Sequence, residues 1–194
     1  MFRLLGFYDY TVILTYLSLL SAVSGIFLAS KGSLTAAVLC LMLSGICDAF
    51  DGTVARSKKN RTEDEKSFGI QLDSLCDVVS FGVFPACLCY FLGMNTLSGI
   101  LILLLFSLCA VIRLAYFNVL EIKRQKTESG CNKVYRGLPV TSISMLLPPF
   151  YLLRLVLTES AFLLLLHVLM AAVAFLFVLD VPIQKLDVTK LFRK

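Results

Sequence analysis

The chain has 194 residues, 58% of them hydrophobic and 16% charged, with a net charge of +5. Soluble domains usually carry about 25% charged and about 45–50% apolar residues, so this composition excludes an ordinary soluble enzyme and points to the membrane. The length allows one domain, residues 1–194, and the cationic excess in so apolar a chain indicates cytosolic loops rather than a nucleic-acid partner.

A membrane span needs about 20 apolar residues. Six stretches qualify: 10–30, 33–56, 68–92, 97–120, 138–157 and 160–180. They predict an all-α membrane protein with six transmembrane helices. The first stretch, Tyr10 to Ser30, is too long for the apolar part of a signal peptide and is followed by five more, so it is expected to be retained. Pro85 predicts a bend in the third span and Pro148-Pro149 a kink in the fifth, while Pro139 near its start is tolerated. The loops 57–67 and 121–136 are polar and mixed in sign. Trp is absent, so tyrosines must supply the aromatic belt. Fifteen of the eighteen Lys and Arg fall before span 1, between spans 2 and 3, between spans 4 and 5, and in the tail. That bias predicts both termini in the cytosol.

The seven cysteines lack zinc-site spacing, and most lie in apolar runs, so they read as small packing residues. His167, the one histidine, sits in an apolar run and reads as helix packing.

The anomaly is acidic. Asp48, Asp51, Asp73 and Asp77 lie in otherwise apolar helices, where each carboxylate costs about 2.5–3.5 kcal/mol at the bilayer centre. At 1.5 Å rise per residue, Asp48 and Asp51 lie about 12 and about 7.5 Å in from Arg56, and Asp73 and Asp77 about 6 and about 12 Å in from Gly69. The two pairs share one layer near the cytosolic surface. Spacings of i,i+3 and i,i+4 put each pair on one helix face. Four carboxylates at one spot require cations, and hard oxygen donors suit Mg²⁺ or Mn²⁺, two ions balancing four charges. Gly52, Ala55 and Gly69 leave bare surface beside the acids, for a substrate or for close helix packing. Carboxylates of this kind also serve ion carriers, although those favour the midplane.

The run Asp48-x-x-Asp51-Gly52-x-x-Ala55-Arg56, then Gly69-x-x-x-Asp73-x-x-x-Asp77, resembles the signature of the CDP-alcohol phosphotransferase (CDP-alcohol phosphatidyltransferase) family. The stretches Leu72–Gly82, Arg113–Asn118 and Gly137-Leu138-Pro139 are similar to its integral-membrane phosphatidylserine synthase branch. Two departures stand out. Twelve residues separate Arg56 from Gly69, a longer loop than usual, and Tyr116 stands where many serine-using members carry a second arginine.

The resemblance implies transfer of a phosphatidyl group from CDP-diacylglycerol to L-serine, with release of CMP. Asp48, Asp51, Asp73 and Asp77 would hold two Mg²⁺ or Mn²⁺ ions, and Asp77 would be the general base. Asp48, Gly52, Ala55, Arg56, Gly69 and Asp73 would bind the CDP-lipid. Arg113, about 10 Å deep by helical rise, would hold serine with Asn118 and Arg136, and Lys133 could help. The family further implies a homodimer. A multi-pass protein of a prokaryotic cell membrane, its site facing the cytosol, is the expected setting. Inositol phosphate or glycerol phosphate as acceptor, an archaeal ether-lipid donor, and an ion-coupled carrier remain alternatives.

Overall fold

The computed structural model describes residues 6–58, 60, 62–126, 134–136, 138–180 and 182–184, leaving aside the side chains of Arg56, 121–126, 134–136 and 182–184. Among the described residues, seven α-helices make up the bundle: α1 (Ile13–Ser30), α2 (Leu34–Ser57), α3 (Glu63–Asp77), α4 (Phe84–Phe91), α5 (Leu97–Lys126), α6 (Ile143–Leu152) and α7 (Glu159–Val178). Two three-residue strands, β1 (Val134–Arg136) and β2 (Pro182–Gln184), pair antiparallel with Tyr135 opposite Ile183. This ribbon joins the α5–α6 connection to the segment after α7.

Among the described residues, five helical segments are long and apolar enough to cross a membrane: Tyr10–Ser30, Leu34–Ala55, Glu63–Phe91, Leu97–Leu120 and Glu159–Val178. The sixth apolar segment, Val140–Leu155, is shorter. It begins and ends in 3-10 turns, with Pro148 and Pro149 inside α6. The outward faces carry Leu20, Phe27, Leu39, Phe50, Leu104, Leu164 and Phe175, all exposed. An apolar surface of that extent belongs in lipid.

The Glu63–Phe91 span is the central one, with 61% of its most apolar window buried against 28–39% in the other four. It is one bent rod. Between α3 and α4, residues Val78–Val83 form a π-helix closed by Phe84 N–H on Val79 C=O. Pro85 follows at the start of α4. Proline lacks an N–H, and its ring clashes with the carbonyl four residues back. The wider π turn at Val78–Val83 accommodates the ring and the missing N–H.

Lipid gives no hydrophobic drive between helices, so small residues and hydroxyls must join them. α1 packs along α2 and also reaches α3, the π turn and α4. Ser18 and Ser44 donate to each other's carbonyls at 3.2 and 3.0 Å with their hydroxyls 2.7 Å apart, and Ser21 donates to Cys40 C=O at 2.9 Å. At Gly25 an added Cβ would lie 2.2 Å from Phe84 Cζ, and at Gly45 it would lie 2.1 Å from Ser144 Oγ. These glycines seat α1 on α4 and α2 on α6. His167 gives Nδ1 to Leu163 C=O at 2.7 Å, as helix packing requires.

Two helices run longer than the sequence suggests. α3 starts at Glu63 because Thr62 and Glu65 form a reciprocal capping box, with three acids in the first turn. α5 continues to Lys126, beyond the apolar stretch ending near Leu120. Lys58 binds Asp9 at 2.8 Å and Glu65 at 3.0 Å, drawing together the start of α1, the end of α2 and the start of α3. The Lys58 ammonium, helped by the Thr11 hydroxyl, lowers the Asp9 carboxyl to about 2.

Candidate metal and acceptor site

Asp48 and Asp51 stand on the last turns of α2, and Asp73 and Asp77 on the last turns of α3. Carboxylate oxygens of Asp48, Asp73 and Asp77 lie within 4.8 Å of one another, so these three could hold a metal ion. Side chains of Asp48 and Asp77 meet at hydrogen-bond range, as do those of Asp51 and Asp73. Asp77 is only 8% exposed, while Asp48, Asp51 and Asp73 are half-buried. The backbones of α2 and α3 approach at few points, and the carboxylates occupy the space between them.

Carboxylates this close need a shared proton or a cation. The chemistry of the donors fits a hard divalent ion, since the cluster offers oxygen alone. A further fit comes from Asp73 Oδ1, which is buried without a hydrogen-bond partner among the described residues. A buried acceptor of that kind is costly, and ligation would satisfy it.

Sequence patterning had not singled out Thr15. Its hydroxyl donates to Asp51 Oδ2 at 3.2 Å from α1, and the residue is 6% exposed. The signal was present in the stripe Thr11, Thr15, Ser18, Ser21, Gly25 and Ala29, spaced three and four apart along α1 and buried throughout. Ser80, in the π turn one helical turn past Asp77, also has a buried hydroxyl with no partner among the described residues.

Gly52, Ala55 and Gly69 are half-buried on the acid-bearing helices. The side chains of Arg56 and Arg136 and the whole of Lys133 lie outside the described residues. Asn118 accepts from Ser74 Oγ at 2.8 Å, which ties α5 to α3 beside Asp73. Arg113 is 8% exposed, and its Nε donates to Leu138 C=O at 3.3 Å. It opens on a cavity of about 300 Å³ bounded by Tyr116 on α5 and by Phe177 and Asp180 at the end of α7. Leu138, Tyr116 and Asp180 are among the groups that Arg113 meets. Asn118 and Arg113 stand on different faces of α5.

The profile of the CDP-alcohol phosphatidyltransferase family matches residues 10–179. The chain belongs to this family. It is 41% identical over 144 residues to the archaetidylserine synthase of Methanothermobacter thermautotrophicus, covering 70% of the chain and 56% of that protein. Against the CDP-diacylglycerol–serine O-phosphatidyltransferase of Saccharomyces cerevisiae it is 41% identical over 116 residues, 58% of the chain and 41% of the relative. Against the Bacillus subtilis protein of the same name it is 36% identical over 118 residues, 60% of the chain and 64% of the relative. The chain spans about half the length of the curated relatives it matches. No solved structure matches it.

Proposed function

We propose that the chain transfers the phosphatidyl group of CDP-diacylglycerol to the hydroxyl of L-serine. The bond formed joins the serine oxygen to the phosphatidyl phosphorus, the bond broken joins that phosphorus to CMP, and the serine proton passes to Asp77. One observation carries the proposal: carboxylate oxygens of Asp48, Asp73 and Asp77 lie within 4.8 Å of one another, with Asp51 beside Asp73, in a chain whose relatives are named for serine transfer.

Asp48, Asp51, Asp73 and Asp77 would hold two Mg²⁺ or Mn²⁺ ions. Bound there, the ions would neutralise pyrophosphate oxygens and the charge that develops on departing CMP. Burial of Asp77 where α2 and α3 meet suits a base that must be shielded from water. Thr15 orients Asp51. Gly52 and Ala55 on α2 and Gly69 on α3 present little side-chain bulk to the nucleotide, with Arg56 on its phosphate side. Arg113 and Arg136 attract the serine carboxylate, and Asn118 fixes α5 against α3 through Ser74.

In this proposal residues 1–194 act as one catalytic domain. Val140–Leu155 completes six spans, both termini and the site face the cytosol, and the unit is a homodimer in a prokaryotic cell membrane. The Methanothermobacter relative, by its name an archaetidylserine synthase, favours a second reading in which the donor carries ether-linked chains.

The test is CMP release by the full chain in detergent, with CDP-diacylglycerol or its ether analogue and Mn²⁺ or Mg²⁺. The acceptor panel contains L-serine, inositol, inositol phosphate and glycerol 3-phosphate. Release is expected with serine and is expected to stop with EDTA. Release confined to a phosphorylated acceptor, or undiminished without divalent ions, overturns the proposal. Ion flux in sealed vesicles without CMP release would establish a carrier instead.

A further inference from the structure

We propose that Ser80 is a positioning residue for Asp77, its hydroxyl donating to the carboxylate and holding it in the orientation from which it takes the acceptor's proton. This rests on the phosphatidyl-transfer reading above and adds a residue of the π turn to that site.

Ser80 is fully buried, and its hydroxyl has no partner among the described residues. Every other buried serine and threonine there is engaged. A serine inside a helix ordinarily settles on the carbonyl three or four residues back. Ser107 does so on Leu103 C=O at 3.1 Å, and Ser144 on Thr141 C=O at 2.7 Å. Ser80 does not, and it stands in the π turn, a distortion that recurs at functional sites. A buried hydroxyl without a partner lowers stability, so its presence points to a bond made when the site is loaded.

Direction and reach agree. Gly82 packs on α5, where a Cβ added to it would lie 3.3 Å from Ala110 Cβ. Ser80 precedes Gly82 by two residues, about half a turn, and so faces away from α5. On that side Phe84 meets Gly25 of α1, and Asp77 meets Asp48 of α2. Residues three apart on a helix carry their Cβ atoms about 5–6 Å from each other, and each Cα–Cβ bond leans toward the helix start. The Ser80 hydroxyl therefore leans back toward Asp77, within reach of its carboxylate.

Asp77 needs such a donor. In the metal-free site its side chain meets that of Asp48 at hydrogen-bond range, which requires a shared proton. With cations bound, both carboxyls are ionised and that hydrogen bond is lost. Asp51 has the Thr15 hydroxyl to steady it, and Ser80 supplies the equivalent for Asp77.

The experiment measures CMP release by the detergent-purified full chain with CDP-diacylglycerol, Mn²⁺ and L-serine, alongside the Tm of the same protein in EDTA. Ser80→Ala is expected to lower kcat by about tenfold or more, the worth of one hydrogen bond to a charged group. Both substrate KM values are expected to stay within about threefold. The metal-free Tm is expected to equal or exceed that of wild type, because alanine removes a buried hydroxyl that had no partner. In an Asp77→Asn background, Ser80→Ala is expected to change kcat by less than about twofold, since residues acting through one another are not additive. An unchanged kcat, a metal-free Tm below wild type, or a full further loss in the Asp77→Asn background overturns the inference while leaving serine transfer standing. CMP release by wild type with another alcohol but not serine overturns the serine reading alone, and the same readouts then apply with that alcohol. Wild type that releases no CMP with any acceptor overturns both.

Discussion

Thr15→Val keeps the size of the side chain and removes the hydroxyl that donates to Asp51 Oδ2 at 3.2 Å. The position is 6% exposed, so water cannot easily replace the lost donor. A hydrogen bond to a charged group contributes about 1.5–3 kcal/mol, and tenfold in affinity corresponds to about 1.4 kcal/mol. The expected loss is therefore about 10–100-fold in divalent-ion affinity, the range typical of outer partners of metal ligands. The assay titrates Mn²⁺ against CMP release at saturating lipid and serine, with Mn²⁺ binding followed by electron paramagnetic resonance on the same sample. The activation midpoint is expected to rise by that factor, with kcat at saturating Mn²⁺ close to wild type and Thr15→Ser nearly normal. Superimposable Mn²⁺ curves for Thr15→Val and wild type would refute the role given to this hydroxyl.

Asp77→Asn is expected to lower kcat by about 10²–10⁴-fold, the usual contribution of a general base, while CDP-lipid binding measured directly stays within a few-fold. Wild-type turnover in that variant would remove Asp77 from proton transfer. Gly25→Ala drives a Cβ to 2.2 Å from Phe84 Cζ, and Phe84 is fully buried. A loss of about 1–3 kcal/mol, typical of overpacking, is expected, read as a lower Tm in detergent. Adding Phe84→Leu should recover part of it, and no recovery would mean the two do not meet. Asp9→Asn removes a carboxylate whose pKa falls to about 2 beside Lys58. A depressed carboxyl stabilises the fold above its ordinary value of 3.8, and that stabilisation fades as pH drops toward about 2. The Tm difference from wild type is expected to be small, within the ~1 kcal/mol of surface pairs. It should stay flat from neutral pH to mildly acidic pH and narrow only below that, and a gap that widens on acidification would contradict the pairing with Lys58.

Much of the bundle was legible in sequence because lipid imposes long apolar runs, and five of the six stretches emerge as helices of spanning length. The acidic layer was legible because four aspartates in such runs have no bland explanation, and helical phase alone put each pair on one face. What escaped depended on local geometry or distant partners. The start of α3 moved forward because a capping box outweighs the polarity of Glu63 to Lys66. Pro85 revealed a distortion but not its form, since a π turn depends on how the preceding carbonyls are accommodated. The β1–β2 ribbon pairs segments more than forty residues apart, and three-residue strands carry no periodicity to detect. Helical rise alone placed Arg113 at a depth near that of Asp77, and in the fold its Nε donates to Leu138 C=O. Which wall of α5 it occupies follows from the packing of α7, invisible in the chain's own pattern.

The serine ladder between α1 and α2 has a consequence far from where it sits. Ser18 and Ser44 grip each other's carbonyls and hydroxyls, and Thr15 lies one turn from Ser18 as Asp51 lies two turns from Ser44. Sliding α1 by a single turn, about 5.4 Å, would carry the Thr15 hydroxyl away from the carboxylate it steadies. The first helix therefore works as a vernier for the aspartate cluster, and damage to two buried serines at mid-span would be felt as a displaced carboxylate two turns away.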